Sequence, residues 1–476
     1  MAGVKAWKLG QPGEPGFPDD FEIVKKAVLQ VTDITNNNNN KYYAIELHAA
    51  GGVFRVFTHY GRTDDLETNP NAGAKECRYV ATLAEAEACY VSIFREKTSP
   101  KKGYKEVALA SSKIGSQKAR GTSSGDVDAK TLDRIAKKDD APAKPASRLP
   151  APIQDLVRYI YDEATSAMTS TVAAKITANG IETPLGILTL GQIEKGEDIL
   201  QELYEVFTKE KSDARKQAEL KRLSGEFYTA VPHRIGRTRA AVDSAVINGL
   251  DLFNQKQETL QLMKDMLRVN GEGGSVLFDA RVDAEYEALK CRIDGLDPSG
   301  GAFKEMADYV VNSQVKSRTI KVKNIYTLQR DVEWSEFTAE IGNQKMLFHG
   351  SRIQNWVGIL SRGILLPKIV VSMGVNRTDA GWLGNGIYFG DAACTSAFYT
   401  TPGRKKTRFL SVARVALGRM KDFTNITYGL NGPPESYHSC HGVRNRPGHP
   451  SQFADDEYVV YTTKQQRLEY LVEFTA

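Results

Sequence analysis

Cysteine is scarce and scattered in this chain: five in 476 residues, at Cys77, Cys89, Cys291, Cys394 and Cys440. An odd, dispersed set with no CxxC pair is no disulfide framework, and no Cys/His group has zinc-ligand spacing, so no metal is expected. A reduced intracellular setting is the simplest expectation. Long apolar runs are missing too. No stretch approaches the roughly 20 residues that cross a bilayer, so no membrane partner is expected. The first twenty residues are rich in Gly, Pro and charge and have no apolar h-region, which argues against a secretory leader. No GxGxxG follows a strand-like run and no P-loop is present, which leaves Rossmann and kinase-type sites without support.

What is there suits an ordinary multidomain protein. Hydrophobic residues make up 41% and charged residues 25%, enough for globular cores, and the length suits about three domains. The net charge of +5 is uneven. Residues 101–150 hold twelve Lys or Arg against six acids, +6, so the rest of the chain sums to −1. That stretch is also rich in Ser, Gly, Ala and Pro and reads as a basic linker, placed at 111–147 after a flexible N-terminus at 1–20. A basic linker fits phosphate binding or nuclear import, and equally a solvated tether.

Between 21 and 110, Tyr43, Ile45 and Leu47 alternate as a strand does, and so do Phe54 and Val56. Thr82 with Glu85 predicts a capping box, and Tyr90, Ile93 and Phe94 then form an apolar stripe. The expected domain is a small sheet carrying one helix. Between 148 and 270 the apolar spacing is helical: Ile153, Leu156, Val157 and Ile160, then Leu200, Leu203 and Phe207. Nothing there reads as strand, and an all-α domain is expected. From 276 to 476 strands dominate. Glu457, Val459 and Tyr461 alternate with Tyr458 and Val460, and Leu468, Tyr470, Val472 and Phe474 alternate with Glu469, Leu471 and Glu473. Few long helices intervene, so a mainly antiparallel sheet is predicted, and the whole chain is multidomain α+β.

The third segment also carries candidate chemistry. Met346-Leu347-Phe348 runs into His349-Gly350-Ser351 ahead of a helix reading Ile353, Trp356, Val357 and Leu360. Gly permits close approach to a backbone, and His and Ser supply short hydrogen bonds. Taken alone, the triplet is equally a capped turn. Tyr388 stands in "GNGIYFGD", and Ser396 and Tyr399 follow on a helix-like stretch. Two tyrosines can sandwich a flat ring and a serine can bind its amide; singly, each tyrosine is as readily core. Glu457 follows Asp455 and Asp456, and three carboxylates buried together raise one another's pKa.

These pieces, in the order His349, Tyr388, Glu457, resemble the His-Tyr-Glu signature of poly(ADP-ribose) polymerases. The matching blocks are "LFHGSRIQNWVGILSRGILLP", "GNGIYFGDAACTSAFY" and "DDEYVVYTTKQQRLEYLVEF". The run "NKYYAIELHAAGGVFRVFTHYGRTDD" is similar to a WGR domain, with Tyr60 where that family usually has Trp. "SRLPAPIQDLVRYIYDE" and "LSGEFYTAVPHRIG" resemble the family's helical regulatory domain. The catalytic blocks look closest to the vault-associated member, and the two preceding domains to the DNA-dependent members.

The resemblance implies NAD⁺ as substrate and assigns roles. His349 would bind the adenine-ribose hydroxyl; Gly350 and Ser396 the nicotinamide carboxamide; Tyr388 and Tyr399 the two faces of the nicotinamide ring. Ser351 and Arg352, with Asp265 of the helical domain, would lie toward adenosine. Glu457 would bind the 2′-hydroxyl of the nicotinamide ribose and polarise an incoming hydroxyl, the role tied to chain elongation. Tyr60 and Arg62 would contact DNA ends or nicks. A nuclear poly-ADP-ribosyltransferase of the DNA damage response is therefore expected, acting on proteins including itself, with an accessory factor completing the acceptor site as a further partner. A mono-ADP-ribosyltransferase of the same fold and a nucleic-acid-binding scaffold with weak activity are the alternatives. Two departures stand out: Thr395 where the family often has Lys, and the loop at 368–383.

Overall fold

In a computed structural model of the chain, the described residues are 4–35, 39–127, 147–172, 174–177, 180–207, 214–233, 235, 238–272, 281–314, 319–366 and 381–476. The loop predicted at 368–383 therefore lies almost wholly outside them. The chain divides into two compact units, one of residues 1–142 with 168–267 and one of residues 143–167 with 268–476. Among the described residues no helix is long and apolar enough to cross a membrane.

The first unit is built on an antiparallel sheet of six strands: β1 (Trp7–Lys8), β2 (Glu22–Asp33), β3 (Asn39–Ala50), β4 (Val53–Arg62), β5 (Ala74–Val80) and β6 (Lys105–Glu106), in the order β1-β5-β4-β3-β2-β6. The helix Leu83–Thr98 covers one face, with Ala86 and Tyr90 packed on Leu29, Tyr43, Ile45, Leu47 and Val56. Its N-terminus is the predicted capping box: the Glu85 amide donates to Thr82 Oγ1 at 3.2 Å and the Thr82 amide to Glu85 Oε2 at 3.1 Å.

Two expectations are corrected in this unit. The N-terminal residues are not simply flexible, because Trp7 and Lys8 pair with Cys77 and Glu76, and the Tyr79 hydroxyl donates to Glu14 at 2.7 Å. Nor is the segment from 111 onward all linker. Leu109–Ser112 forms β7, which joins β8 (Lys175–Thr177), β9 (Gly180–Glu182) and β10 (Gly186–Leu188) in a second antiparallel sheet ordered β7-β10-β9-β8. Beyond β7, the Ser116 amide and hydroxyl both donate to the buried Glu46 carboxylate, at 2.8 and 2.5 Å. Gly115 has φ +102° beside that carboxylate, and a Cβ there would collide with Glu46 Oε1. The basic stretch is thus folded against the sheet up to 127, and the remainder of the predicted linker lies outside the described residues.

The segment read as helical supplies the helices Leu190–Phe207, Ala214–Ala230 and Arg239–Ser244 to this unit, together with the helix Leu250–Glu272 as far as Leu267, and the three short strands β8–β10 in addition. Ala214–Ala230 docks directly on β2, where the Thr32 amide donates to Thr229 Oγ1 at 2.8 Å. His233 is buried, its Nδ1 bonded to the Val231 carbonyl at 2.7 Å.

The second unit holds one nine-stranded sheet: β11 (Arg292–Gly295), β12 (Lys321–Gln329), β13 (Gln344–Gly350), β14 (Ile387–Gly390), β15 (Arg408–Ala416), β16 (Met420–Phe423), β17 (Ser439–Gly442), β18 (Glu457–Val460) and β19 (Gln466–Thr475). The order is β11-β12-β19-β15-β13-β14-β18-β17-β16, antiparallel except for β16 and β17. Phe348, Leu410, Val412, Val472 and Phe474 form its core. The alternation predicted for β19 is interrupted: Val412 pairs with Tyr470 and Ala413 with Leu468, a bulge at Glu469. Leu468 thereby falls on the face of Leu471 rather than that of Val472 and Phe474, and all four are fully buried. The first part of the helix Ala151–Thr171 belongs to this unit. Tyr159 is buried there beside Phe409, its hydroxyl accepting from the Lys405 amide and Thr407 Oγ1, both at 3.3 Å. Glu163 accepts the Arg404 amide at 2.8 Å, and Asp162 pairs with the Arg404 guanidinium.

Candidate active site

Three neighbouring strands at the centre of the large sheet carry the site. Phe348 of β13 pairs with Gly390 of β14, and Gly390 pairs with Glu457 of β18, so one row of residues crosses all three. Tyr388 opposes Val459. Opposed residues share a face and so do residues two apart on a strand, so Tyr388 and Glu457 project from the same face of adjacent strands.

His349 is fixed from the strand next door: its Nδ1 donates to the Tyr388 carbonyl at 2.9 Å. A carbonyl only accepts, so Nδ1 carries the proton. Burial holds the imidazole below its usual pKa, the bond to Tyr388 opposing this. The ring is therefore neutral near pH 7, with an accepting lone pair on Nε2.

Gly350 and Ser396 are pressed together behind it. A Cβ at Gly350 would collide with the Ser396 carbonyl oxygen, so only glycine lets β13 and the helix Ala393–Ala397 come this close. Ser396 is 5% exposed and its Oγ donates to the Phe348 carbonyl at 3.0 Å. The Tyr388 hydroxyl accepts from the Leu383 amide at 2.9 Å and donates to the Gly384 carbonyl at 2.8 Å, which locks the ring. Burial keeps that phenol protonated. Tyr399 contrasts with it: 67% exposed, next to Phe398 at 92%, it offers an open ring face at the end of the same helix. Ser351 accepts from Asn355 Nδ2 at 3.1 Å, and Arg352 is exposed beside it.

Glu457 is half-buried, and its carboxyl is pushed up to about 7, first by burial and then by the charge of Asp455. A cluster of charges stands on its flank. Thr395 Oγ1 donates to Asp455 Oδ2 at 2.7 Å. Arg444 reaches Asp391 at 2.7 Å, Asp455 at 3.6 Å and Asp456 at 3.8 Å. Asp456 also meets His441 at 3.0 Å and Arg446 at 3.0 Å. Thr395 and the acidic run were visible in the sequence. Arg444 and His441 were not, since "HGVRN" follows no motif and folding alone brings it to β18.

The second unit therefore brings together His349, Gly350, Ser351, Arg352, Tyr388, Ser396, Tyr399 and Glu457. Asp265 lies in the first unit, buried, accepting from Gln261 Nε2 at 2.9 Å. Tyr60 and Arg62, also in the first unit, end β4. The Tyr60 ring stacks on Tyr43 with centroids 5.1 Å apart and planes 9° apart, and its hydroxyl donates to Glu76 at 2.7 Å. Arg62 pairs with Asp64 at 3.4 Å. Among the described residues no group of three or more His, Cys, Asp or Glu could hold a metal ion.

Comparison with known proteins gives three family matches along the chain: the WGR domain at 25–110, the poly(ADP-ribose) polymerase regulatory domain at 147–271 and the poly(ADP-ribose) polymerase catalytic domain at 301–476. The chain is similar to the protein mono-ADP-ribosyltransferase PARP4 of Mus musculus, 33% identical over 323 residues, 68% of this chain and 15% of that protein. It is similar to the Homo sapiens PARP4, 29% identical over 466 residues, 97% of this chain and 24% of that protein. Poly [ADP-ribose] polymerase 1 of Arabidopsis thaliana is 24% identical over 496 residues, 96% of this chain and 47% of that protein. The chain thus spans no more than about a quarter of the two PARP4 proteins.

Proposed function

The chain belongs to the poly(ADP-ribose) polymerase family, and from that premise we propose that it transfers ADP-ribose from NAD⁺ to proteins, itself included, releasing nicotinamide. One observation carries the reading: His349, Tyr388 and Glu457 stand on three adjacent strands, with Glu457 and Tyr388 on one face. The Nε2 lone pair of neutral His349 accepts the adenine-ribose hydroxyl. The Gly350 backbone and Ser396 hold the carboxamide, and Tyr388 and Tyr399 hold the nicotinamide ring, fixing the leaving group. Ser351 and Arg352, with Asp265, serve the adenosine half.

The glycosidic bond breaks with oxocarbenium character, as in glycoside hydrolysis. Ionised Glu457 holds the ribose 2′-hydroxyl and stabilises the growing positive charge, an effect that is strongest where water is excluded. The same carboxylate polarises the attacking hydroxyl when the acceptor is an ADP-ribose already attached, so Glu457 supports a polymer-forming reading. Single transfer is the second reading, supported by the mono-ADP-ribosyltransferase names of the two PARP4 relatives. The WGR domain and the basic stretch support activation by DNA ends or nicks and a place in the nucleus, in DNA repair.

The test is incubation of the chain with labelled NAD⁺, with and without nicked DNA, with products sized on a gel. Label on protein is expected, extended into ladders and stimulated by the nick. Absence of protein label with intact NAD⁺ sinks the transferase reading; a single band sinks polymerisation; equal rates without DNA sink the activation.

A further inference from the structure

Both cross-strand neighbours of Glu457 are glycines, Gly390 of β14 and Gly442 of β17. A Cβ at Gly442 would collide with the Phe453 ring, whereas one at Gly390 would meet only ordinary contacts. Cross-strand side-chain pairs are what tie strands together laterally, and the row that carries Glu457 has none. The next row is unfavourable on its own. One step past Gly390 and Glu457, where the β14–β18 ladder ends, the same register sets Asp391 against Asp456. Like charges directly opposite push strands apart. The Asp391 pKa is raised, by burial first; Arg444 lowers it and Asp456 raises it. Arg444 bonds to both carboxylates from beyond β17. Its Nη2 donates to Asp391 Oδ1 at 2.7 Å and its backbone amide to Asp456 Oδ1 at 2.9 Å, and its Nε lies 3.8 Å from Asp456 Oδ2. It also approaches Asp455 at 3.6 Å. His441 and Arg446 hold Asp456 as well, each at 3.0 Å. The ion pair of Asp391 is with Arg444.

We propose that Arg444 is a positioning residue: it clamps Asp391 to Asp456 and so fixes the end of β18 that presents Glu457 to the sugar, a role that rests on the transferase reading of Glu457. Alternation puts Asp456 on the face of Tyr458, opposite to that of Glu457 and Tyr388. His441, which pairs with Tyr458 across the strands, bonds to Asp456 there. The clamp therefore grips the strand end from behind the substrate face. What it sets is where the carboxylate stands, and misplacing a reacting group by about 1 Å costs on the order of a hundredfold in rate. The nicotinamide side of the site is held separately. The Tyr388 hydroxyl is locked by Leu383 and Gly384, and Ser396 is bonded to Phe348. Loss of the Arg444 side chain should thus slow the reaction and leave the binding of nicotinamide mimics alone.

The experiment measures kcat and KM for NAD⁺ consumption, and benzamide affinity by calorimetric titration, on the full chain. Arg444→Met removes the guanidinium, while the backbone bond to Asp456 survives any substitution there. It should lower kcat roughly tenfold to a hundredfold, with KM and benzamide affinity unchanged. Adding Asp391→Asn removes one of the two opposed charges, and the double variant should recover most of the lost kcat. An arginine that itself touched NAD⁺ would not be rescued by changing its partner, and one that served stability alone would not move kcat. Arg444→Met at wild-type kcat, or a double variant as slow as the single one, overturns the clamp. Where Arg444→Met does not fold, the double variant decides alone: kcat near wild type upholds the clamp, and kcat lower by roughly tenfold or more overturns it. Glu457→Gln separates the two readings. If it consumes NAD⁺ as fast as wild type, the transferase reading falls and the clamp with it; if it is slow while Arg444→Met runs at full kcat, only the clamp falls.

Discussion

Two tyrosines stand in opposite circumstances. Tyr399 in the large sheet's unit is 67% exposed, while Tyr60 in the WGR unit is stacked on Tyr43 and bonded to Glu76. The surroundings repeat the contrast. In the same unit stand Glu457 with a raised pKa and a neutral His349 with an accepting nitrogen. Around Tyr60, Glu76 also binds Arg78 at 3.2 Å, and Lys97 lies 4.7 Å over the Tyr43 ring. A site built for a ligand keeps its groups poised and costs stability; a site whose groups already satisfy one another must break contacts before it binds. On the function proposed above the chemistry belongs to the large sheet, and DNA reading by the Tyr60 hydroxyl has to displace its bond to Glu76.

The sharpest break of that contrast is on the catalytic side. Glu457→Gln keeps the shape and removes the charge that the proposed function assigns to the transition state. NAD⁺ turnover should fall by roughly 10²–10³-fold, with any ladder shortened to single additions. Long polymer from this variant removes Glu457 from its role. Gly350→Ala comes next. Its new Cβ meets the Ser396 carbonyl oxygen, and overpacking of this kind costs about 1–3 kcal/mol. Binding of benzamide and of NAD⁺ should weaken together, roughly tenfold or more, by calorimetric titration. Ser396→Ala should weaken both by less, since one neutral hydrogen bond contributes about 0.5–1.5 kcal/mol. Benzamide bound as tightly by both variants as by wild type would place the nicotinamide pocket elsewhere.

The two units should also part company in acid. His59 is fully buried; it accepts the Gly115 amide on Nδ1 at 3.2 Å and donates from Nε2 to the Ala72 carbonyl at 2.8 Å. Burial pushes it down to about 4, and burial with nearby Lys256 pushes His233 down to about 3. A histidine depressed in the folded state is protonated first in the unfolded state. Its stability is present above about pH 6.5 and is lost as pH falls toward the folded value, at about 1.4 kcal/mol per unit for each group. Hydrogen exchange should therefore accelerate around β3–β4 and the Ala214–Ala230 helix between pH 6.5 and 4. Glu457 has the opposite sign: its raised pKa favours the folded state in acid and disfavours it as pH rises toward 7. Exchange in both units rising in step across that window would break the contrast.

How much of this was legible in the sequence follows the same division. His349, Tyr388 and Glu457 could be read because each sits in a short strand whose alternation is visible, and β18 begins at Glu457. Glu85 and Thr82 likewise act within one turn. What escaped depends on distant partners. Ser116 and Gly115 look like linker, yet they are ordered by Glu46, some seventy residues earlier. The strands β8–β10 are three residues each, too short for a period to show. The alternation read for β19 fails at Leu468 because a bulge, set by pairing with β15, shifts the register there. Asp455 was visible as charge, but its tie to Thr395 exists only once the sheet closes.

The smallest expected effect tests the other half of the comparison. Tyr60→Phe removes the hydroxyl bonded to Glu76 and leaves the ring on Tyr43. Glu76 keeps its pairing with Arg78, so nothing is stranded, and the loss should be about 0.5–1.5 kcal/mol of stability. If Tyr60 reads DNA by stacking, its ring is the working part, and stimulation of NAD⁺ turnover by nicked DNA should survive in Tyr60→Phe. Changing Tyr60 and Arg62 together to Ala removes both the ring and a phosphate contact. That variant should respond less to DNA, and its binding should fall less steeply with salt than wild type, while turnover without DNA stays the same. DNA titrations of the two proteins at two salt concentrations separate the cases. A Tyr60→Phe protein as unresponsive as the double variant would mean that Tyr60 works through Glu76, as a brace for β4, and the stacking role would be lost. A double variant as responsive as wild type would move DNA recognition away from this strand altogether, leaving the basic residues of 101–127 as the surface to test next.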